Sequence, residues 1–178
     1  MSVLKQVFVV LLGLLGLALL VSFVLPSSWE VAREMHISVW PREVHAVAGD
    51  LDTWKAWSPF GTAADPAAKI EIQTEKGEVG STLSFTGPEL GHGKLTITKS
   101  DREKGMEFEL QLRGGKEIVH GSLGYTEIVT GATVVSFRLR GDVGGNPIGR
   151  YRAIARGYTM GPSIVEALAR LKRTAERL

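Results

Sequence analysis

Four histidines, at positions 36, 45, 92 and 120, are the side chains of this chain best suited to move protons near neutral pH. His36 falls on the polar side of an alternating segment, His92 opposite Leu95 and Ile97, and His45 beside the apolar Val44 and Val47. Strand parity leaves His120 as the one candidate catalytic base with access to an interior. No two histidines have HxxxH spacing, no carboxylate joins one in a metal-ligand motif, and the chain has no cysteine. No metal site is therefore expected. Ser81, Ser84 and Ser122 lack the GxSxG elbow that exposes a nucleophile, and Gly144-Gly145 forms neither GxGxxG nor a phosphate loop. No cofactor is expected, and fixed catalytic machinery is hard to find.

The elements around these residues are more legible. Trp29 to Val39 alternates, with Val31, Met35, Ile37 and Val39 on one face and Glu30, Glu34, His36 and Ser38 on the other, which predicts a half-buried strand. Pro41 suits a first helical turn, and Val44, Val47 and Leu51 follow at helical spacing, predicting two short helices over Pro41 to Trp57. Period-two alternation then predicts six strands, the clearest placing Met106, Phe108, Leu110 and Leu112 against Glu107, Glu109 and Gln111. Gly77, Gly87-Pro88, Gly105, Gly114-Gly115 and Gly131 mark the turns of an antiparallel meander. Ile148, Tyr151, Ile154 and Tyr158 recur at helical spacing, predicting a short glycine-flanked helix that is either a movable lid or an ordinary packed segment. Pro162-Ser163 is expected to start a last amphipathic helix carrying Ile164, Leu168, Leu171 and Ala175 on one face. The sum is an α+β domain whose sheet needs the last helix as its cover.

The chain has 178 residues, 44% of them apolar, and a formal charge of +2, too small for a general nucleic-acid binder. Its apolar residues are concentrated in Val7–Leu25, 19 residues without a charge, interrupted by Gly13, Gly16 and Ser22. As a helix this run is about 28 Å long, enough to cross a bilayer. It exceeds a typical signal-peptide core and lacks a small-x-small ending, which favours an uncleaved anchor over a cleaved signal. Lys5 before the span points to a cytoplasmic N-terminus and an extracytoplasmic domain, a single-pass arrangement. The expected division is an anchor over residues 1–28 and a folded domain over 29–178. Within that domain the charge is polarised, net −5 from Pro26 to Phe137 and net +6 from Arg138 to Leu178. The basic end is either a solvated helix face or a surface for anionic head groups.

The strand leading into Pro41-Arg42-Glu43-Val44, the segment Asp50-Leu51-Asp52-Thr53-Trp54-Lys55-Ala56-Trp57-Ser58-Pro59-Phe60, the Gly91-His92-Gly93-Lys94-Leu95 strand start and the C-terminal amphipathic helix together resemble the START-like (SRPBCC) superfamily of polyketide cyclase/dehydrase and lipid-transport type. The resemblance covers Trp29 to Leu178. It implies a helix-grip fold, a curved antiparallel sheet wrapped around a long C-terminal helix, enclosing a cavity for an apolar ligand. Small residues at Gly93, Gly121 and Ala132 fit either unfilled space or bends in the strands. Residues expected to line the cavity are Trp54, Trp57, Phe60, Phe85, Phe108, Tyr125, Phe137, Tyr151 and Leu168. The leading expectation is a membrane-anchored binding protein for an apolar or amphipathic small molecule, a lipid among the candidates. The alternatives are a cyclase, dehydratase or isomerase using the same cavity, and an interaction module with a filled core.

Overall fold

A computed structural model describes residues 3–74 and 78–178, so the Gly77 turn lies outside the described residues. Alternation is realised as predicted: Met106, Phe108 and Leu110 are buried while Glu107 is exposed, and the same pattern runs through the neighbouring strands. The strands are β1 (Ser28–Ile37), β2 (Lys69–Gln73), β3 (Thr82–Gly87), β4 (Gly91–Asp101), β5 (Gly105–Leu112), β6 (Glu117–Val129) and β7 (Ala132–Asp142). They form one seven-stranded antiparallel sheet in the order β1-β7-β6-β5-β4-β3-β2, so β2 to β7 is the expected meander and β1 closes its far edge. Register shifts between Ile97 and Lys99 and between Glu127 and Val129 insert bulges that bend the sheet. At the β4–β5 turn Gly105 has φ +113°, and a Cβ there would run into the Leu123 carbonyl, so only glycine fits.

Helices α1 (Val3–Ser22), α2 (Pro41–Ala48), α3 (Leu51–Trp57) and α4 (Pro147–Ala175) complete the chain. Pro41 opens α2, and the Glu43 carboxylate accepts the Trp40 N–H at 3.0 Å. Asp50 caps α3 by accepting the Asp52 N–H at 2.9 Å. The last helix corrects the sequence reading. Instead of a separate short helix followed by a new start at Pro162, one helix of 29 residues runs through Pro162. An internal proline removes one backbone hydrogen bond at a cost of about 3 kcal/mol. Burial of Ala153 on one side of it and Ile164, Ala167, Leu168, Leu171 and Ala175 on the other outweighs that cost. Gly161 lies against the exposed Arg33 guanidinium of β1. The separate glycine-flanked helix on which the lid reading rested is therefore absent, its residues forming the first half of α4.

α1 is the one described helix long and apolar enough to cross a membrane, over Lys5–Ser22. Its side chains from Val7 to Val21 are exposed, unlike those of a core helix.

Candidate functional site

The segment between α3 and β2 sets the aromatic wall of the site. Trp54 donates its indole N–H to the Ala48 carbonyl at 2.6 Å, and Trp57 donates to Thr53 Oγ1 at 3.2 Å, so both rings enter the core with their polar atoms satisfied. Ser58 Oγ then accepts the Phe60 N–H at 3.1 Å. Gly61 follows because a Cβ would strike the Trp54 and Lys55 carbonyls. This turn delivers Phe60 onto Phe85, stacked at 5.9 Å with 11° between the ring planes.

Beside that stack, α4 and the open face of the sheet leave a cleft of about 310 Å³. Phe60, Phe85, Leu90, Leu112 and Leu139 wall it from the sheet side, and Met160, Ile164, Thr159, Ser163 and Arg156 from α4. Such a volume is at the small end of ligand pockets. Its charged wall residues are Glu89 and Arg156. Arg156 pairs with Glu117, Nη2 to Oε2 at 2.8 Å, and lies 5.2 Å from the centroid of the Trp29 ring. The guanidinium is thus held at the rim by β6 and β1.

Asp65 fastens the opposite rim. Its carboxylate accepts the backbone N–H groups of Ala67, Glu89 and Leu90 at 2.9 to 3.1 Å, tying the β3–β4 turn to the loop after α3. Gly87 makes room, because a Cβ there would strike the Asp65 carboxylate. Burial pushes the Asp65 carboxyl up, but the three N–H donors outweigh it and hold the group below the usual carboxylate range.

The other expected site residues are placed differently. Trp54, Trp57, Phe108, Phe137 and Leu168 are wholly buried in packed core. Trp54 meets Trp57 at 4.9 Å and Phe108 edge-on at 5.4 Å, and Phe108 meets Phe137 at 6.1 Å. The small residues do not mark empty space: Gly93 pairs with Phe85 and Gly121 with Phe108 across the sheet, and a Cβ at either would enter the partner's ring. Trp29 covers Gly141 in the same way. Large aromatic rings thus lie over cross-strand glycines, filling the interior around Phe108 and walling the cleft at Phe85. Of the nine expected lining residues, Phe60 and Phe85 face the cleft. Tyr151 is exposed on α4 and donates to the Ala18 carbonyl of α1 at 2.6 Å. His120 is exposed between Glu109 and Arg140 on the outer face, because its neighbours Val119 and Gly121 take the inward positions.

Sequence reasoning missed a second polar cluster. His45 is buried, with Nε2 2.9 Å from Glu78 Oε2 and 3.2 Å from Ser100 Oγ, and Nδ1 3.4 Å from the Tyr125 hydroxyl. Ser100 also donates to Glu78. The set closes with Tyr125 donating to Nδ1 and Nε2–H donating to Glu78, and burial, then the Glu78 carboxylate, push the Tyr125 hydroxyl up so that it stays protonated. Glu78 has φ +70°, a conformation uncommon outside glycine. A depression of about 510 Å³ beside the cluster is lined by Arg42, His45, Asp50, Glu78 and Arg102 among others, and shares no residue with the cleft. Glu78 and Ser100 lie 33 and 55 residues from His45 in the chain, so no local spacing signals the cluster.

A seven-stranded antiparallel sheet gripping one long helix, with a ligand-sized cleft between them, defines the helix-grip class of START-like folds. The chain belongs to the family described as polyketide cyclase / dehydrase and lipid transport, whose pattern matches residues 28–176. Norcoclaurine synthase from Thalictrum flavum, solved with dopamine and hydroxybenzaldehyde, is similar at a TM-score of 0.59 and 15% identity, covering 86% of this chain and 90% of that one. A protein from Thermus thermophilus is similar at 0.60 and 16% identity, covering 82% of this chain and 96% of that one. The di-domain ARO/CYC StfQ of the steffimycin biosynthetic pathway is similar at 0.64 and 11% identity, covering 84% of this chain and 51% of that one. No curated protein matches the chain by sequence. At these identities the solved structures establish the fold.

Proposed function

We propose that the protein is a single-pass, membrane-anchored START-like binding protein. Residues 1–28 hold residues 29–178 on the extracytoplasmic side, where the domain takes up an apolar or amphipathic small molecule without covalent chemistry. The observation that carries this reading is the cleft between α4 and the sheet, apolar along its wall and bearing charge at Arg156 and Glu89. A ligand with one apolar end and one polar end fits that distribution, a lipid-like molecule included. Arg156 is already paired with Glu117, and no histidine lines the cleft, which favours binding over proton-transfer chemistry. Family membership supports a hydrophobic-ligand role of this kind.

A cyclase, dehydratase or isomerase is the second reading, favoured by the buried His45 and Tyr125 and the half-buried Glu78 and Ser100 beside their own depression. Native mass spectrometry of the full chain in mild detergent, compared with Met160→Trp, separates the two. Binding predicts a recurring small molecule on the wild type that is lost when the indole fills the cleft. Absence of any bound molecule, together with no uptake of an apolar fluorophore, would overturn the binding reading. Loss of a bound molecule in Tyr125→Phe but not in Met160→Trp would move the site to the histidine cluster.

A further inference from the structure

Among the described residues, the first half of α4 has an outward face left largely exposed. Ile148, Tyr151, Ile154 and Tyr158 are 64%, 42%, 41% and 81% exposed, at the three- and four-residue spacing that stacks side chains along one side of a helix. Buried Ala153 and Ile164 lie on another side, against the sheet, with the cleft residues Arg156 and Met160 turned toward them. From Pro147 to Val165 the helix carries Arg150, Arg152 and Arg156 and no acidic residue.

What covers this face is indicated by its attachment to α1. Arg150 Nη1 donates to the carbonyls of Ser22, Phe23 and Leu25 at 2.8 to 3.1 Å, where α1 ends. Tyr151 donates to Ala18 O, one turn before that end and about 6 Å back along the axis. Val143 N–H bonds to the Ser27 carbonyl, and β1 starts at Ser28, so little chain separates the anchor from the sheet. Tyr151 therefore sits level with the last turn of the apolar span. Amphipathic helices that lie on membranes are buried to a comparable depth, with basic residues beside an apolar face and aromatic rings at the head-group level.

We infer that the Ile148, Tyr151, Ile154 and Tyr158 face of α4 lies in the bilayer interface beside the anchor, with Arg150 and Arg152 at the level of anionic lipid head groups. This rests on the proposed anchoring of α1. It turns a tethered domain into one docked in a fixed orientation, with α4 lying on the lipid and the cleft side of the same helix left free.

The chain has no cysteine, so single substitutions carry a label cleanly. The full chain is prepared as Tyr158→Cys, Ile154→Cys, Leu12→Cys in the anchor, and Glu107→Cys on the outer sheet face. Each carries a nitrobenzoxadiazole probe and is reconstituted in vesicles of phosphatidylcholine with phosphatidylglycerol. The expected result is quenching of the 154, 158 and 12 probes by doxyl-labelled lipid, with severalfold weaker iodide quenching than at 107. A 158 probe as open to iodide as the 107 probe, while the 12 probe is lipid-quenched, overturns the docking and leaves the anchor standing. An iodide-accessible 12 probe overturns the anchor and the docking with it. A 158 probe shielded from iodide but not quenched by doxyl lipid reports a protein partner or second copy on this face and also overturns the inference.

Discussion

The two ends of the interior differ in how they use aromatic rings. Around Trp54, Trp57, Phe108 and Phe137 the rings cross at steep angles, with Phe108 lying over Gly121, leaving no room. Around Phe60 and Phe85 the rings stack nearly parallel and form one wall, while α4 stands far enough off to leave the cleft. The same residue type therefore closes one region and lines another. Steeply crossed rings fill the space around Phe108, and the nearly parallel pair leaves space beside α4.

The largest effects should come from the closed region. Trp54→Ala removes a wholly buried indole and leaves the Ala48 carbonyl without its donor, so unfolding by denaturant should show a loss of about 4 kcal/mol. Gly121→Val should be of similar severity, since its first carbon already enters the Phe108 ring. If Gly121→Val were tolerated, the glycine–aromatic pairing would not be what fills the core. The contrasting substitution is Met160→Trp in the cleft: apolar-ligand affinity should fall about tenfold or more, near 1.4 kcal/mol, with a smaller change in Tm. Equal destabilisation in both regions would erase the distinction.

Acid should separate the regions further. The Asp65 carboxyl is held below its ordinary value, so its stabilising contribution is fully present above the unfolded-state value near 3.8 and is lost as pH falls through the lower folded-state value. Amide exchange at Glu89 and Leu90 should accelerate in that window, before the strands around Phe108 open. Simultaneous opening would mean that Asp65 does not hold the rim. The smallest effect is expected at His120, where His120→Ala should change stability by no more than about 0.5 kcal/mol and leave ligand binding untouched.

Most of the fold was legible because period-two and period-3.6 burial leave marks within a few residues. Every strand and both short helices fall where alternation and spacing put them, and the apolar N-terminal helix, expected over Val7–Leu25, runs over Val3–Ser22. Pro162 misled because proline usually ends helices, and the burial that carries α4 through it depends on contacts with distant strands. The candidate site was legible in part. Phe60 and Phe85 lie in long-range contact, yet the WSPFG turn that presents Phe60 is visible in sequence. His45 looked like a residue on a small helix because Glu78, Ser100 and Tyr125 reach it from other parts of the chain.

The sequence by itself determined every element except the continuity of α4, together with their apolar faces and the anchor-length helix, since these follow from residue order at short range. Tertiary structure alone decided which inward side chains meet. Strand register sets Phe108 against Gly121 and Phe85 against Gly93, and so determines that most of the interior is solid and where the cleft remains. Register is a long-range property: shifting a strand relative to its partner changes every pairing without changing either strand's own pattern.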